Sequence, residues 1–106
     1  MENINKIELA GTIGTVRINT VGNHKVGRFS VATNYTYKAQ DGSVICETTW
    51  HSVVYWAKHG QDLSEFIKGT KVHVLGRLKQ SRYTTVDGEE RSSYEVLAHT
   101  FEIAEL

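Results

Sequence analysis

The chain of 106 residues is long enough for one small domain and too short for two. With 40% hydrophobic and 23% charged residues it has the composition of a soluble globular protein, and no apolar run approaches the roughly 18 residues that a membrane helix needs. The single cysteine, Cys46, excludes an internal disulfide framework. Twelve basic and twelve acidic side chains give a formal net charge of zero, which by itself argues against a nucleic-acid partner.

The charges are distributed unevenly along the chain. Residues 17–83 carry ten basic side chains and four acidic ones, whereas residues 84–106 carry one basic and six acidic side chains. The neutral average therefore hides a basic body and an acidic C-terminal end. This asymmetry is typical of a polyanion-binding surface, and chance clustering of surface charge is the alternative.

Glycines divide the N-terminal half into β-rich runs, and proline is absent. The residues from Ile4 to Ile18 predict one long first strand, which Gly11 and Gly14 would bend or bulge. The second and third strands are predicted at Val26 to Tyr37 and Val44 to Trp56, with a turn at residues 40–43 between them.

One segment departs from the β pattern. From Leu63 to Ile67 apolar residues recur at the i, i+3 and i+4 spacing of one helix face. Asp62 suits the start of a helix, and Gly69 suits the residue after its end. The spacing predicts a short α-helix over Gln61 to Ile67.

Strand-like alternation returns after this segment. Thr70 to Lys79 predicts a fourth strand, and Ser81 to Ser93 predicts a polar hairpin with Asp87-Gly88 at its tip. Tyr94 to Leu97 and Thr100 to Ile103 complete the β pattern. The order predicts an all-β fold, a five-stranded OB barrel over residues 1–106, with one short α-helix between strands 3 and 4 and an extended β-hairpin after strand 4. A small β-sandwich is the alternative.

Four aromatic residues stand beside cations or in polar runs, where packing in a core explains them poorly. An exposed ring can stack on an unpaired base while a nearby cation meets the phosphate, and each stack contributes about 1–3 kcal/mol whatever the base. Half-buried packing within strands is the alternative. The four residues are Tyr37, Trp50, Trp56 and Tyr83.

The sequence resembles the bacterial single-stranded DNA-binding protein family from Asn5 to about Leu106, and four stretches within this range carry the resemblance. Thr49-Trp50-His51-Ser52-Val53-Val54-Tyr55-Trp56-Ala57-Lys58 is the most specific. The other three are Asn5 to Gly11, Val26 to Thr33 and Lys68 to Leu78.

The resemblance implies a function and a set of roles. It implies sequence-independent binding and protection of single-stranded DNA in replication, recombination and repair, in the bacterial cytoplasm at the nucleoid, without catalysis, cofactor or metal. The family's stacking positions fall on the same four aromatics. Phosphate contacts are implied for Lys58, Lys68, Lys79, Arg82, Lys6, Arg17 and Lys38. The family's homotetramer, a dimer of dimers in which first strands pair, implies an interface at Asn5, Ile7, Leu9 and His51.

The sequence also departs from the family pattern. Ser52 and Ser81 stand where basic residues are common, and Tyr37 and Tyr83 stand where tryptophan is common. The family usually continues into a flexible acidic tail that recruits repair and replication proteins. No such tail follows Leu106, so we expect tail-mediated partners to be absent, and we expect the acidic last residues to lie off the DNA path.

Three other functions are compatible with parts of the sequence. An enzyme has little support, because the five histidines form no metal-ligand spacing and no phosphate-cradling glycine loop is present. A primosomal restart protein of the PriB type, a dimer of similar length, is the nearer alternative, although such proteins generally lack the full set of stacking aromatics. An OB domain that binds only protein would show no fluorescence response to oligo(dT).

Overall fold

The computed structural model describes residues 1–104 and arranges them as a closed five-stranded barrel. The strands are β1 (Ile7–Val21), β2 (His24–Lys38), β3 (Val44–Trp56), β4 (Lys71–Thr84) and β5 (Glu90–Ile103). Their order around the barrel is β1-β2-β3-β5-β4, and every pairing is antiparallel except the parallel contact of β3 with β5. The predicted all-β OB barrel is therefore confirmed.

A bulge in β1 confirms the predicted irregularity at Gly14. Ile13 pairs with Val31 and Thr15 pairs with Ser30, so Gly14 is the extra residue on its strand. The Thr15 backbone N–H donates to the Ser30 hydroxyl at 2.8 Å, which satisfies a group that the bulge removes from the regular ladder.

A second bulge, in β5, was not predicted from the sequence. Leu75 pairs with Thr100 and the next residue of β4, Gly76, pairs with Ala98, which leaves His99 as the extra residue. Regular alternation would turn Val96 and Phe101 to opposite faces, because five positions separate them. With the bulge, both side chains are buried in the core.

The core contains a cluster of aromatic rings at one end of the barrel. Phe101 stacks on Phe29 with centroids 4.5 Å apart and contacts Phe66 at 4.8 Å and Tyr55 at 5.5 Å. The Tyr55 hydroxyl donates to the Gln61 side chain at 2.8 Å, and the Lys58 backbone N–H donates to the same oxygen at 2.9 Å. These contacts hold the β3–β4 connection against the barrel.

The predicted α-helix at Gln61 to Ile67 is absent, and turns connect β3 to β4 instead. Leu63 and Phe66 are buried as the spacing required, but Ile67 is 61% exposed. The Asp62 carboxylate accepts hydrogen bonds from the Ser64 backbone N–H and hydroxyl, a local turn that competes with helical bonding. The same bonds lower the pKa of Asp62. A single apolar spacing over seven residues is too short to offset the nucleation cost of a helix.

Both long hairpins of the chain extend as paired strands to their tips. The β2–β3 ladder continues to Lys38 opposite Val44, and the β4–β5 ladder continues to Thr84 opposite Glu90. The predicted hairpin after strand 4 is confirmed, and its two arms are the outer halves of β4 and β5. At the tip of the β2–β3 hairpin, the Ser43 hydroxyl and backbone N–H donate to Asp41 and lower the pKa of its carboxyl.

Candidate functional site

All four aromatics that the sequence singled out lie on the surface. Trp50 is 60% exposed, Trp56 and Tyr83 are each 51% exposed, and Tyr37 is 38% exposed. Each ring thus keeps a face that a planar ligand could cover. No aromatic–aromatic contact joins any two of the four within residues 1–104, so they form separate sites along the surface.

The two tryptophans share the outer face of β3. Trp50 pairs with Ala32 and Trp56 pairs with Val26, and the ladder between these two pairs is unbroken. Because the two tryptophans lie an even number of residues apart on β3, their side chains point to the same face. The alternate positions of β3 and β2, among them Val53 and Val31, point into the core. Trp50 and Trp56 therefore face away from the core on one surface.

Tyr37 lies on the opposite face of the β2–β3 hairpin from Trp50. Tyr37 pairs with Ile45, and it lies an odd number of residues along β2 from Ala32, the partner of Trp50. The Tyr37 and Trp50 side chains therefore point to opposite faces. Its hydroxyl donates to Glu47 at 3.3 Å, and its ring centroid lies 6.1 Å from that of Tyr35, which is itself 68% exposed. A single strand that touches both Tyr37 and Trp50 would have to wrap around this hairpin.

The β4–β5 hairpin separates Tyr83 from its sequence neighbour Arg82. Tyr83 pairs with Arg91 and Lys79 pairs with Glu95, so Tyr83 and Lys79 share one face. Arg82 points to the other face, as adjacent residues of a strand must. Tyr94, which is 58% exposed, occupies that second face with Arg82.

The seven predicted phosphate contacts are all exposed. Within residues 1–104 none of them forms an ion pair. Two belong to the connection between β3 and β4, and the others are spread over the N-terminal segment and three strands. They are Lys58, Lys68, Lys79, Arg82, Lys6, Arg17 and Lys38.

An open groove of about 470 Å³ lies beside Trp50. Arg17 and Arg28 line it together with the indole, and so do Thr15 and Ser30, the pair that follows the β1 bulge. Arg28 was not predicted as a site residue, because in the sequence it stands apart from any of the four aromatics. It donates to the Glu95 carboxylate at 3.3 Å. The groove thus joins an exposed ring to two guanidinium groups.

The four predicted interface residues have different environments. The Asn5 amide donates to the Leu78 carbonyl at 2.7 Å and accepts from the Leu78 backbone N–H at 2.9 Å. Leu9 is buried in the core, Ile7 packs partly against the core, and His51 Nε2 lies 2.8 Å from the Thr33 hydroxyl. A subunit contact at Leu9 would therefore use its backbone.

The first half of β1 has an open edge that suits such a contact. Ile7 to Gly11 pair with β4 on one side, whereas pairing with β2 begins only at Thr12. The backbone groups on the other side of residues 7–11 have no strand partner within the part of the chain that the structure describes. Such an edge can pair with another strand.

Two further findings concern metal sites and membrane-spanning helices. Among residues 1–104 no three His, Cys, Asp or Glu side chains come together as a metal site. No helix of the described part is long and apolar enough to cross a bilayer.

A solved structure from Plasmodium falciparum, described as an SSB complex with ssDNA, shares the fold. Its TM-score is 0.81 at 24% sequence identity, and the match covers 99% of this chain and 98% of that one. The likeness supports the barrel assignment independently of sequence.

Sequence comparisons identify the family. Proteins named single-stranded DNA-binding protein from Xanthomonas axonopodis pv. citri and Neisseria meningitidis serogroup A are 34% and 32% identical over 94% and 91% of this chain, which spans 57% of each relative's length. Single-stranded DNA-binding protein 1 of Xylella fastidiosa strain 9a5c is 33% identical, with 92% of this chain and 75% of that protein covered. The model of the single-strand binding protein family matches residues 4–104. The chain therefore belongs to the single-strand binding protein family.

Proposed function

We propose that the protein binds single-stranded DNA without sequence preference, by stacking bases on its exposed aromatics and neutralising phosphates with its exposed cations. The observation that carries this proposal is the coincidence of four exposed rings with seven cations that form no ion pair within residues 1–104. Stacking tolerates every base because every base has a π-face, whereas the cations respond to the backbone alone. The neutral net charge does not oppose this function, because binding depends on where charges lie.

Titration with oligo(dT) at low salt tests the proposal. Both tryptophans of the chain are exposed site residues, so binding should quench tryptophan fluorescence. The logarithm of the affinity should fall with the logarithm of salt concentration by about 0.7 per phosphate neutralised. An unchanged fluorescence spectrum at low salt, together with no shift in a mobility assay, would contradict the proposal.

We further propose that the protein acts as a non-enzymatic homotetramer, a dimer of dimers, in replication, recombination and repair within the cytoplasm at the nucleoid. The open edge of residues 7–11 supports pairing of first strands between subunits. Family membership favours this assembly over the dimeric primosomal restart protein. Solution mass with and without oligo(dT) is the test, since a stable dimer in both conditions would contradict the tetramer.

His51 offers a second test of the assembly. The imidazole is half-buried in one chain and bonds to Thr33, so a larger or charged side chain there would disturb any subunit packed against it. We expect His51→Lys to lower the solution mass at low micromolar concentration. His24→Lys, at the exposed β1–β2 turn, is the matched control and should leave the mass unchanged.

A further inference from the structure

A second groove, of about 510 Å³, lies beside Trp56 and is lined by cationic and apolar side chains without a carboxylate. Its charged or titratable residues are Lys6 from the N-terminal segment, Arg77 from β4 and His99 from β5, while β3 contributes only the indole. Leu97 lines the groove as well and pairs with Arg77 across the ladder. The arrangement offers a flat apolar ring with a positive rim.

Two features hold this rim in place. The Asn5 side-chain amide forms two hydrogen bonds with the Leu78 backbone, which fix the N-terminal segment along β4 and bring Lys6 to the groove that Arg77 also lines. Gly76 lets the strands approach closely at the bulge, because a Cβ there would lie 2.1 Å from the Leu97 carbonyl oxygen. The rim is therefore built into the barrel.

The bulge in β5 brings the imidazole to this groove. His99 is the residue that the β4–β5 register skips, and its side chain is exposed. Bulges commonly redirect a side chain in this way. Histidine is the side chain whose charge ordinarily changes between pH 5 and 8. A phosphate bound beside the imidazole would favour its protonated form, because an opposite charge nearby stabilises a charged group.

We propose that this groove is a nucleotide subsite in which Trp56 stacks on a base while Lys6, Arg77 and His99 surround the adjacent phosphate, so that binding takes up a proton at His99. The inference rests on the proposed function and adds two phosphate ligands, Arg77 and His99, that the sequence did not indicate. It predicts that the affinity for single-stranded DNA rises as the pH falls from 8 to 6, in part through this one side chain.

The test compares oligo(dT) affinity at pH 6 and pH 8 for four forms of the full chain. The ratio of the two affinities should be about two- to five-fold smaller in His99→Gln than in the unaltered protein, the effect of one exposed ion pair. At pH 6 the salt slope of His99→Gln should be shallower by about 0.7. His99→Lys should bind oligo(dT) more tightly than the unaltered protein at pH 8, and its ratio of the two affinities should be as small as that of His99→Gln. His24→Gln, an exposed histidine at the β1–β2 turn, should behave like the unaltered protein.

The outcomes separate this inference from the proposed function. If the unaltered protein does not bind oligo(dT) at either pH, both proposals are wrong. If the unaltered protein binds but His99→Gln keeps the full pH dependence of the affinity, only the subsite assignment is overturned. The same holds if His24→Gln loses as much of the pH dependence as His99→Gln. The other four histidines are the same in the unaltered protein and in both His99 variants, so the difference between these forms isolates His99. Should His99→Gln fold poorly, the His99→Lys comparison at pH 8 still decides the question.

Discussion

The indole of Trp50 lies against Gly14, the extra residue of the β1 bulge. A Cβ built on Gly14 would fall 2.3 Å from Cζ3 of the ring and 2.7 Å from Cη2, so only glycine leaves room for the observed position. The backbone of Gly14 is not in the left-handed region, so an alanine there would be strained by its contacts alone, with the ring and with the Ser30 hydroxyl oxygen 3.0 Å from the Cβ. The bulge and the ring thus form one unit, in which the strand backbone lies next to the six-membered ring of the indole.

We expect Gly14→Ala to weaken single-stranded DNA binding by displacing Trp50. The loss should not exceed that of one base stack, about 1–3 kcal/mol. Quenching titrations with oligo(dT) measure the loss, and the emission maximum of the free protein reports the altered environment of the indole. A double-mutant cycle with Trp50→Ala is the control, because Gly14→Ala should cost little further affinity once the ring is gone. Equal losses in both backgrounds would show that Gly14 acts independently of Trp50.

We expect Trp50→Ala and Trp56→Ala each to weaken oligo(dT) binding by about 1–3 kcal/mol. Both rings are more than half exposed and both lie on the outer face of β3, so truncation removes stacking area without opening the core. Each variant retains one tryptophan, and its residual quenching reports on that ring alone. Ile67→Ala is the matched control, since Ile67 is a large exposed apolar residue outside the strands. An affinity change as large in the control would refute the specific role of the rings.

The barrel could be predicted from the sequence because alternation and glycine spacing are local signals. The helix over residues 61–67 could not, because Leu63 and Phe66 reach the core equally well from consecutive turns. An i, i+3 apolar pair fits either geometry. The Asp62–Ser64 hydrogen bonds that favour the turns form between residues that also suit a helix start.

The exposure of the four aromatics could be predicted from the sequence, whereas their roles in binding stay predictions. The cations that share a face with each ring could not be predicted from sequence neighbours, because adjacent residues of a strand face opposite sides. Arg82 and Tyr83 show this directly. Of the cations that line the grooves beside the tryptophans, Arg17 and Lys6 are predicted phosphate contacts. Arg28 and Arg77 are not, because no local pattern marks them. The bulge at His99 also changes which residues share a face beyond it.

We expect Phe66→Ala to destabilise the protein by about 3–5 kcal/mol, because the ring fills the end of the barrel against Phe29 and Phe101. Ile67→Ala should change the free energy of unfolding by less than about 0.5 kcal/mol, as expected for an exposed position. Urea denaturation followed by circular dichroism measures both values. A helix would bury Leu63, Phe66 and Ile67 together, so a large effect at Ile67 would contradict the turn structure and favour the helix.

We expect Glu95→Gln to strengthen single-stranded DNA binding by about two- to five-fold, the effect of one exposed ion pair. Arg28 donates to the Glu95 carboxylate at 3.3 Å, and Lys79 lies directly opposite Glu95 on the β4–β5 ladder. Removing the carboxylate frees Arg28 for phosphate and removes a negative charge from the face that carries Lys79 and Tyr83. The expectation that the acidic last residues lie off the DNA path would then not extend to Glu95.

The salt dependence of the same variant separates a local effect from a general one. If Arg28 gains a phosphate, the salt slope should steepen by about 0.7 in Glu95→Gln. Glu102→Gln removes the same net charge from an exposed position opposite His73, towards the other end of β5, and should change neither the affinity nor the slope. An equal gain in Glu102→Gln would mean that net charge, rather than the release of Arg28, sets the affinity. An unchanged affinity in Glu95→Gln would mean that Arg28 does not reach the DNA.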